Sequence, residues 1–431
     1  MPIIGEHEMV PLDNCERDFL KLMKAGLKST WVFCLLMGCA HEATSKNDTV
    51  PNGINSMVQT SVTVGTQPKN LFVFLDGTRN DQISGTNVLR LYDLLSKNND
   101  FQTKSIYIEG VGSVDRPIMG ASLGRGMEKR ILTGYEFLAL NYKPGDRIFI
   151  FGFSRGAHQA RSLAGLLAYA GLPIVTEENR TQLMPLGENI LNLAKEITDT
   201  EFIEKWGLWK PGHSPLLAGM IRKHLQQDMQ PVEIEFLGVW DTVPGSSFKN
   251  YKDCMETIGF WKINFNWLPI ISKGERYKSG SYPPIHQIAH ALSIDEKRSK
   301  FAPLRACPPL NPQYTAVEEV WFPGAHADVG GGYEDSNELS SISLNWMIMQ
   351  LSSKYKFHEG LPLVEATPHG LAHWSIGDFP ANIGSDCEDR VLPEGAVVHE
   401  SFHLRKKYGP VPIRINGQVL RSPYQSQHCE R

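Results

Sequence analysis

The chain has 431 residues, a formal net charge of −4, 41% hydrophobic residues and 21% charged residues. Those figures describe a folded protein with room for one large α/β domain or two smaller ones. They exclude a basic nucleic-acid footprint, and no internal repeat or long low-complexity run marks a solenoid or fibrous protein.

Residues 1–39 read as a leader. From Met23, Lys24 and Lys28 form a basic region and Trp31 to Met37 a short apolar core. Leu36-Met37-Gly38-Cys39 then resembles a bacterial lipobox, so 23–39 is expected to be a lipoprotein signal, cleaved before Cys39 with lipidation of its thiol. The apolar run is too short to span a bilayer as a helix. An acidic stretch containing Glu6, Glu8, Asp13, Glu16 and Asp18 precedes it, which fits translation starting at Met23. The other reading is an N-terminal arm with a chance apolar patch. Residues 40–68 are polar and read as a flexible linker. Of seven cysteines, Cys254, Cys307, Cys387 and Cys429 fall in the mature domain, enough for up to two disulfides but matching no framework.

The folded part is expected over 69–431. Asn70 to Leu75 is an all-apolar strand ending in Asp76-Gly77-Thr78. Val88–Lys97 reads as a helix, Lys104–Ile108 as a strand and Gly126–Tyr142 as a helix. Arg147 to Phe151 reads as a strand buried on both faces, followed by Gly152-Phe153-Ser154-Arg155-Gly156 and a helix with Ala160, Ala164 and Ala168 at four-residue spacing. A serine on such a strand-to-helix turn is a candidate nucleophile, with glycines where side chains would collide and helix N–H groups aimed at developing negative charge.

Residues 172–230 read as a helical insertion over the active-site edge. Val232–Trp240 is a strand ending in Asp241, where a triad acid is expected. Residues 246–282 form an aromatic insertion: either a lid that meets lipid or a small subdomain core. Pro283–Glu296 reads as a helix with His286 and His290 on one face, a spacing that suits packing or hydrogen bonding more than metal ligation. Glu318–Pro323 is a strand leading to His326 and Asp328 in a glycine-rich loop. Ile342–Leu351 reads as a buried helix. Ala396–Ser401 is a second strand-plus-histidine, at His399.

LFVFLDGTRN, GFSRGA, FLGVWDTV, AHALSIDEKRSKF, VWFPGAHADVGGGY, LSSISLNWMI and VHESF occur in order between about residues 70 and 402. Together they resemble the signature blocks of bacterial type VI secretion phospholipase effectors of the first lipase class. The resemblance implies an α/β-hydrolase-like, doubly wound, mostly parallel sheet. It also implies a metal-free, cofactor-free serine esterase acting on glycerophospholipids through an acyl-enzyme. Carried over by position, Ser154 is the nucleophile, Asp241 the acid and His326 the base, with His399 the alternative base and Asp328 the alternative acid. Asp76 orients the first-strand loop. Backbone N–H groups of Gly77 or Thr78 and of Arg155 form the oxyanion hole. The partners implied are a phospholipid membrane and no nucleic acid, with any immunity or secretion partner unassigned. The lipobox points to a lipid-anchored protein of the outer membrane or periplasm, against a secreted effector. Two other classes stay open. One is a metal-dependent phosphoesterase built on Asp76, Asp241, His326 and Asp328; the other is a non-catalytic envelope lipoprotein.

Overall fold

The computed structural model describes residues 68–78, 80–97, 102–110, 120–197, 202–244, 280–356, 360–376, 386–424 and 429. The expected signal, the linker to residue 67 and most of the aromatic insertion lie outside them.

Seven parallel strands form the central sheet. In chain order they are β1 (Asn70–Leu75), β2 (Thr103–Ile108), β3 (Arg147–Phe153), β6 (Ile234–Trp240), β7 (Gln287–Ser293), β8 (Ala316–Phe322) and β10 (Val397–Val398). The short pair β4 (Leu172–Pro173) and β5 (Met229–Gln230) lies apart, as do β9 (Ala372–His373), β11 (Pro410–Ile415) and β12 (Gln418–Pro423). Across the sheet the order is β10-β8-β7-β6-β3-β1-β2, every neighbouring pair parallel. Chain order reverses between β1 and β3, the switch point at which open α/β sheets build sites beyond their strand ends. This is an α/β-hydrolase-like fold.

Non-alternating apolar strands follow from burial on both faces. All six residues of β1 are buried, and so are six of the seven in β3. On one face Phe72 stacks on Phe149 and Phe74 on Phe151 at 4.5 and 5.2 Å between centroids. Helices α1 (Asn87–Lys97) and α8 (Glu338–Lys354) cover that face. The other face carries α2 (Gly120–Asn141) and α3 (Arg155–Ala170).

The insertion departs from expectation. Its helices α4 (Leu183–Glu196), α5 (Ile203–Gly207) and α6 (Ala218–Leu225) pack on the α2/α3 face. Leu183, Ile190, Leu191, Trp206 and Ile221 are buried there with Leu132, Tyr135 and Tyr169. Trp206 and Trp209 line a small cavity with Val232, Glu233 and Pro284, beside the starts of β6 and β7. The apolar stripe needs a partner, and α2 and α3 supply it at the end of the sheet away from Ser154.

Pro283–Glu296 is corrected from helix to strand: β7 lies between β6 and β8, all seven residues buried. Apolar residues at four-residue spacing suit either element when both faces are covered, and sheet pairing decides. Short helices α7 (His326–Gly330) and α9 (Glu400–Lys407) follow β8 and β10. The β11–β12 hairpin turns at Asn416-Gly417, both with positive φ, as a two-residue hairpin requires.

Candidate active site

Ser154 stands between β3 and α3 with φ 59° and ψ −126°. A non-glycine residue held there costs about 1–3 kcal/mol, which the surrounding packing must offset. The glycines explain how. A Cβ on Gly152 would lie 2.5 Å from the Gly156 carbonyl oxygen. One on Gly156 would lie 2.2 Å from the oxygen of Leu75 and 2.5 Å from that of Asp76. The start of α3 therefore sits directly against the end of β1. The Ser154 N–H donates to the Trp240 carbonyl at 3.0 Å, tying the turn to the end of β6.

Asp241 follows β6, is fully buried and also has positive φ, 36°. Its Oδ2 lies 2.5 Å from His326 Nδ1. Arg390 spans both oxygens, with Nη1 at 2.6 Å from Oδ1 and Nη2 at 2.9 Å from Oδ2, and the Ser293 N–H adds a donor at 3.0 Å. Burial pushes the carboxyl pKa up, but Arg390 and His326 outweigh it and hold Asp241 well below the usual range. His326 opens α7. Burial lowers its pKa, against the pull of Asp241, and so favours the neutral ring. The rings of Phe153 and Phe301 pack on it at 4.6 and 5.0 Å, and its backbone N–H donates to Glu296, itself paired with Arg298.

The other expected residues occupy distinct places. His399 caps α9: its ring accepts from Ser401 N–H, bonds the Ser401 hydroxyl at 2.9 Å and stacks on Phe322. Asp328 accepts from Ala325 N–H and from His373, whose ring lies 2.7 Å away. Asp76 is buried, with Thr86 and Tyr107 hydroxyls on one oxygen and Gly77 N–H and Asn80 on the other. Burial raises its pKa. These hydrogen bonds fix the first-strand loop beside the nucleophile, where a Cβ on Gly77 would lie 3.2 Å from Ser154 Cβ.

That loop distinguishes the two candidate donors. The Gly77 N–H donates to the Asp76 carboxylate at 2.6 Å. The Thr78 hydroxyl, by contrast, is buried with no hydrogen-bond partner among the described residues. His290 serves hydrogen bonding, set between Glu319 at 3.1 Å and the Thr242 hydroxyl at 3.0 Å. The carboxylates of the metal reading are engaged separately, by Thr86 and Tyr107, by Arg390, and by His373. No group of three His, Cys, Asp or Glu side chains is arranged for a metal ion among the described residues.

Residues 69–350 match the family described as the type VI secretion (T6SS) phospholipase effector Tle1-like catalytic domain. An uncharacterised protein of Saccharomyces cerevisiae is 27% identical over 258 residues, covering 55% of this chain and 32% of that protein. The chain thus spans about a third of that relative's length. Among solved structures, a carboxylesterase of Lactobacillus plantarum aligns with TM-score 0.31 and 10% identity, over 68% of this chain and 87% of its own. Zea mays acyl-protein thioesterase 2 aligns with TM-score 0.28 and 11% identity, over 67% and 96%.

Proposed function

Since this chain belongs to the Tle1-like phospholipase effector catalytic-domain family, we propose that it is a serine hydrolase that cleaves acyl esters of glycerophospholipids. One observation carries the reading. A serine in a strained strand-to-helix turn is hydrogen-bonded through its N–H to the end of β6, and the next residue there begins a buried Asp241–His326 pair.

In this reading His326 takes the Ser154 proton through Nε2 while Asp241 holds Nδ1–H and stabilises the imidazolium. Ser154 attacks the ester carbonyl, the lyso product leaves, and water attacks the acyl-enzyme with His326 again as base. The Thr78 N–H and hydroxyl and the Arg155 N–H, at the start of α3, receive the oxyanion. His326 is the base in preference to His399, whose nitrogen is engaged by its own helix, and Asp241 is the acid in preference to Asp328, which holds His373.

Lipidation of Cys39 would place the enzyme on a membrane; envelope association and delivery as a secreted effector are the two placements that fit the family. A fluorophosphonate probe tests the chemistry. Mass spectrometry is expected to find a single adduct, on Ser154, absent from Ser154→Ala and strongly slowed in His326→Ala. Labelling elsewhere, or undiminished labelling in His326→Ala, would overturn the assignment.

A further inference from the structure

Arg390 lies 149 positions beyond Asp241, outside every motif in the sequence. Besides its two bonds to Asp241, its guanidinium donates to the Ser293 carbonyl at 2.8 Å and the Phe301 carbonyl at 2.6 Å. A forked, bidentate donor fixes the plane of a carboxylate, which a point charge does not. Here it leaves Oδ2 facing the His326 ring.

The segment that carries Arg390 is tied to the chain after β7 around residues 386–390. Ser299 N–H donates to the Asp386 carbonyl at 3.0 Å, and Glu388 N–H to the Lys297 carbonyl at 2.8 Å. Lys297 pairs with Asp389 at 2.8 Å. Cys387, exposed to solvent and three positions before Arg390, is disulfide-bonded to Cys429. The disulfide is the covalent tether among these, and a reductant can reach it.

Taking the serine-hydrolase reading as its basis, we propose that Arg390 is the positioning residue of the catalytic acid and that the Cys387–Cys429 disulfide holds it there, so that full activity requires an oxidising compartment. Reduction takes two electrons and two protons from a dithiol, which closes into its own disulfide as Cys387 and Cys429 become thiols. The segment then rests on noncovalent contacts alone, among them those two backbone hydrogen bonds, the Asp386 N–H to Ser299 Oγ bond at 3.2 Å, the Lys297–Asp389 pair and the bonds Arg390 itself makes. In a reducing cytosol the thiols persist, and in an exported protein the bond forms. An enzyme that attacks phospholipid would in this way be weak where it is made and active where it is delivered.

The signature lies in the pH profile. The charged groups around the His326 ring are Asp241 at the end of β6, Glu296 and Arg298 after β7, and Arg390 through Asp241. Asp328, on its own helix, is occupied by His373. Removing the Arg390 charge leaves Asp241 free to stabilise the imidazolium, so the acid limb of kcat/KM moves up by about 1 pH unit. A purely structural loss lowers the rate and leaves the limb in place.

The test measures kcat and KM against pH on a soluble ester, for wild type, Arg390→Met, Arg390→Lys, Cys387→Ser and dithiothreitol-treated wild type, with near-UV circular dichroism on each. Cys307 is also disulfide-bonded, so Cys387→Ser is the specific arm. Expected are a raised acid limb and lowered kcat in Arg390→Met, a limb near wild type in Arg390→Lys, and the Arg390→Met profile in Cys387→Ser and the reduced enzyme. If Arg390→Met does not fold, Cys387→Ser against Arg390→Lys carries the comparison. An unshifted limb in Arg390→Met overturns the positioning role. A wild-type profile and rate in Cys387→Ser overturns the redox control. Ser154→Ala runs alongside: activity surviving there refutes the serine reading itself, separately from either result.

Discussion

Replacing Gly156 by alanine tests how the nucleophile is held. The added methyl would sit 2.2 Å from the Leu75 carbonyl oxygen and 2.5 Å from that of Asp76. Normal contact lies near 3.5 Å, so the overlap is roughly 1 Å. Both neighbours are backbone atoms at the buried end of β1 and cannot rotate away, so β1 or α3 must move. Overpacking costs about 1–3 kcal/mol where side chains can yield, and backbone against backbone places this change at about 3 kcal/mol. In a domain of this size that lowers the thermal midpoint by about 4 °C. A displacement of α3 near 1 Å carries Ser154 with it, and such a misplacement costs about 10²-fold in rate. Gly207→Ala is the control: it lies exposed in α5 with nothing within 4 Å of its added Cβ. Thermal melts followed by circular dichroism, with ester hydrolysis on the same samples, read both effects. A Gly156→Ala protein that melts and turns over like Gly207→Ala would refute the close-approach argument.

Other expectations follow from the same geometry. Thr78→Val should lower kcat by about 10²-fold with little change in KM, and Thr78→Ser should restore most of it, because one oxyanion donor is removed and then returned; equal rates in all three would remove the hydroxyl from the site. His326→Ala should abolish turnover while His399→Ala keeps most of it, losing stability through its cap on α9, and the reverse order would exchange their roles. His158 is buried, and burial together with Arg161 lowers its pKa to about 3. The unfolded chain takes up that proton near pH 6.5 and the folded chain does not. Stability from this group is therefore intact above about pH 6.5 and falls by about 1.4 kcal/mol per unit down to pH 3. Denaturant titrations of His158→Asn should show a shallower acid slope, and an unchanged slope would contradict it.

The sheet was legible because its strands are buried on both faces: NLFVFL and RIFIF carry no alternation and are followed at once by Asp-Gly and Gly-x-Ser-x-Gly. The candidate site was legible where chemistry and a strand end coincide, at Ser154, Asp241 and His326. Pro283–Glu296 was not, since a strand covered on both sides presents the same apolar spacing as a buried helix. Gly77 could not be sorted from Thr78 as a donor, because only the folded loop shows Asp76 turning back on its own neighbour. Arg390 and the Cys387–Cys429 pair lie far along the chain from the residues they serve, and no local pattern connects an arginine in CEDRVLP to an aspartate after β6. The three-stranded C-terminal sheet left a local trace in its Asn416-Gly417 turn, flanked by short strands.

Fatty-acid release from phosphatidylethanolamine and phosphatidylglycerol vesicles tests the central claim most directly, comparing wild type with Ser154→Ala, each with and without EDTA. The account predicts release by wild type regardless of EDTA and none by folded Ser154→Ala. Release that survives Ser154→Ala and stops with EDTA would contradict it, moving the chemistry from the serine to a metal.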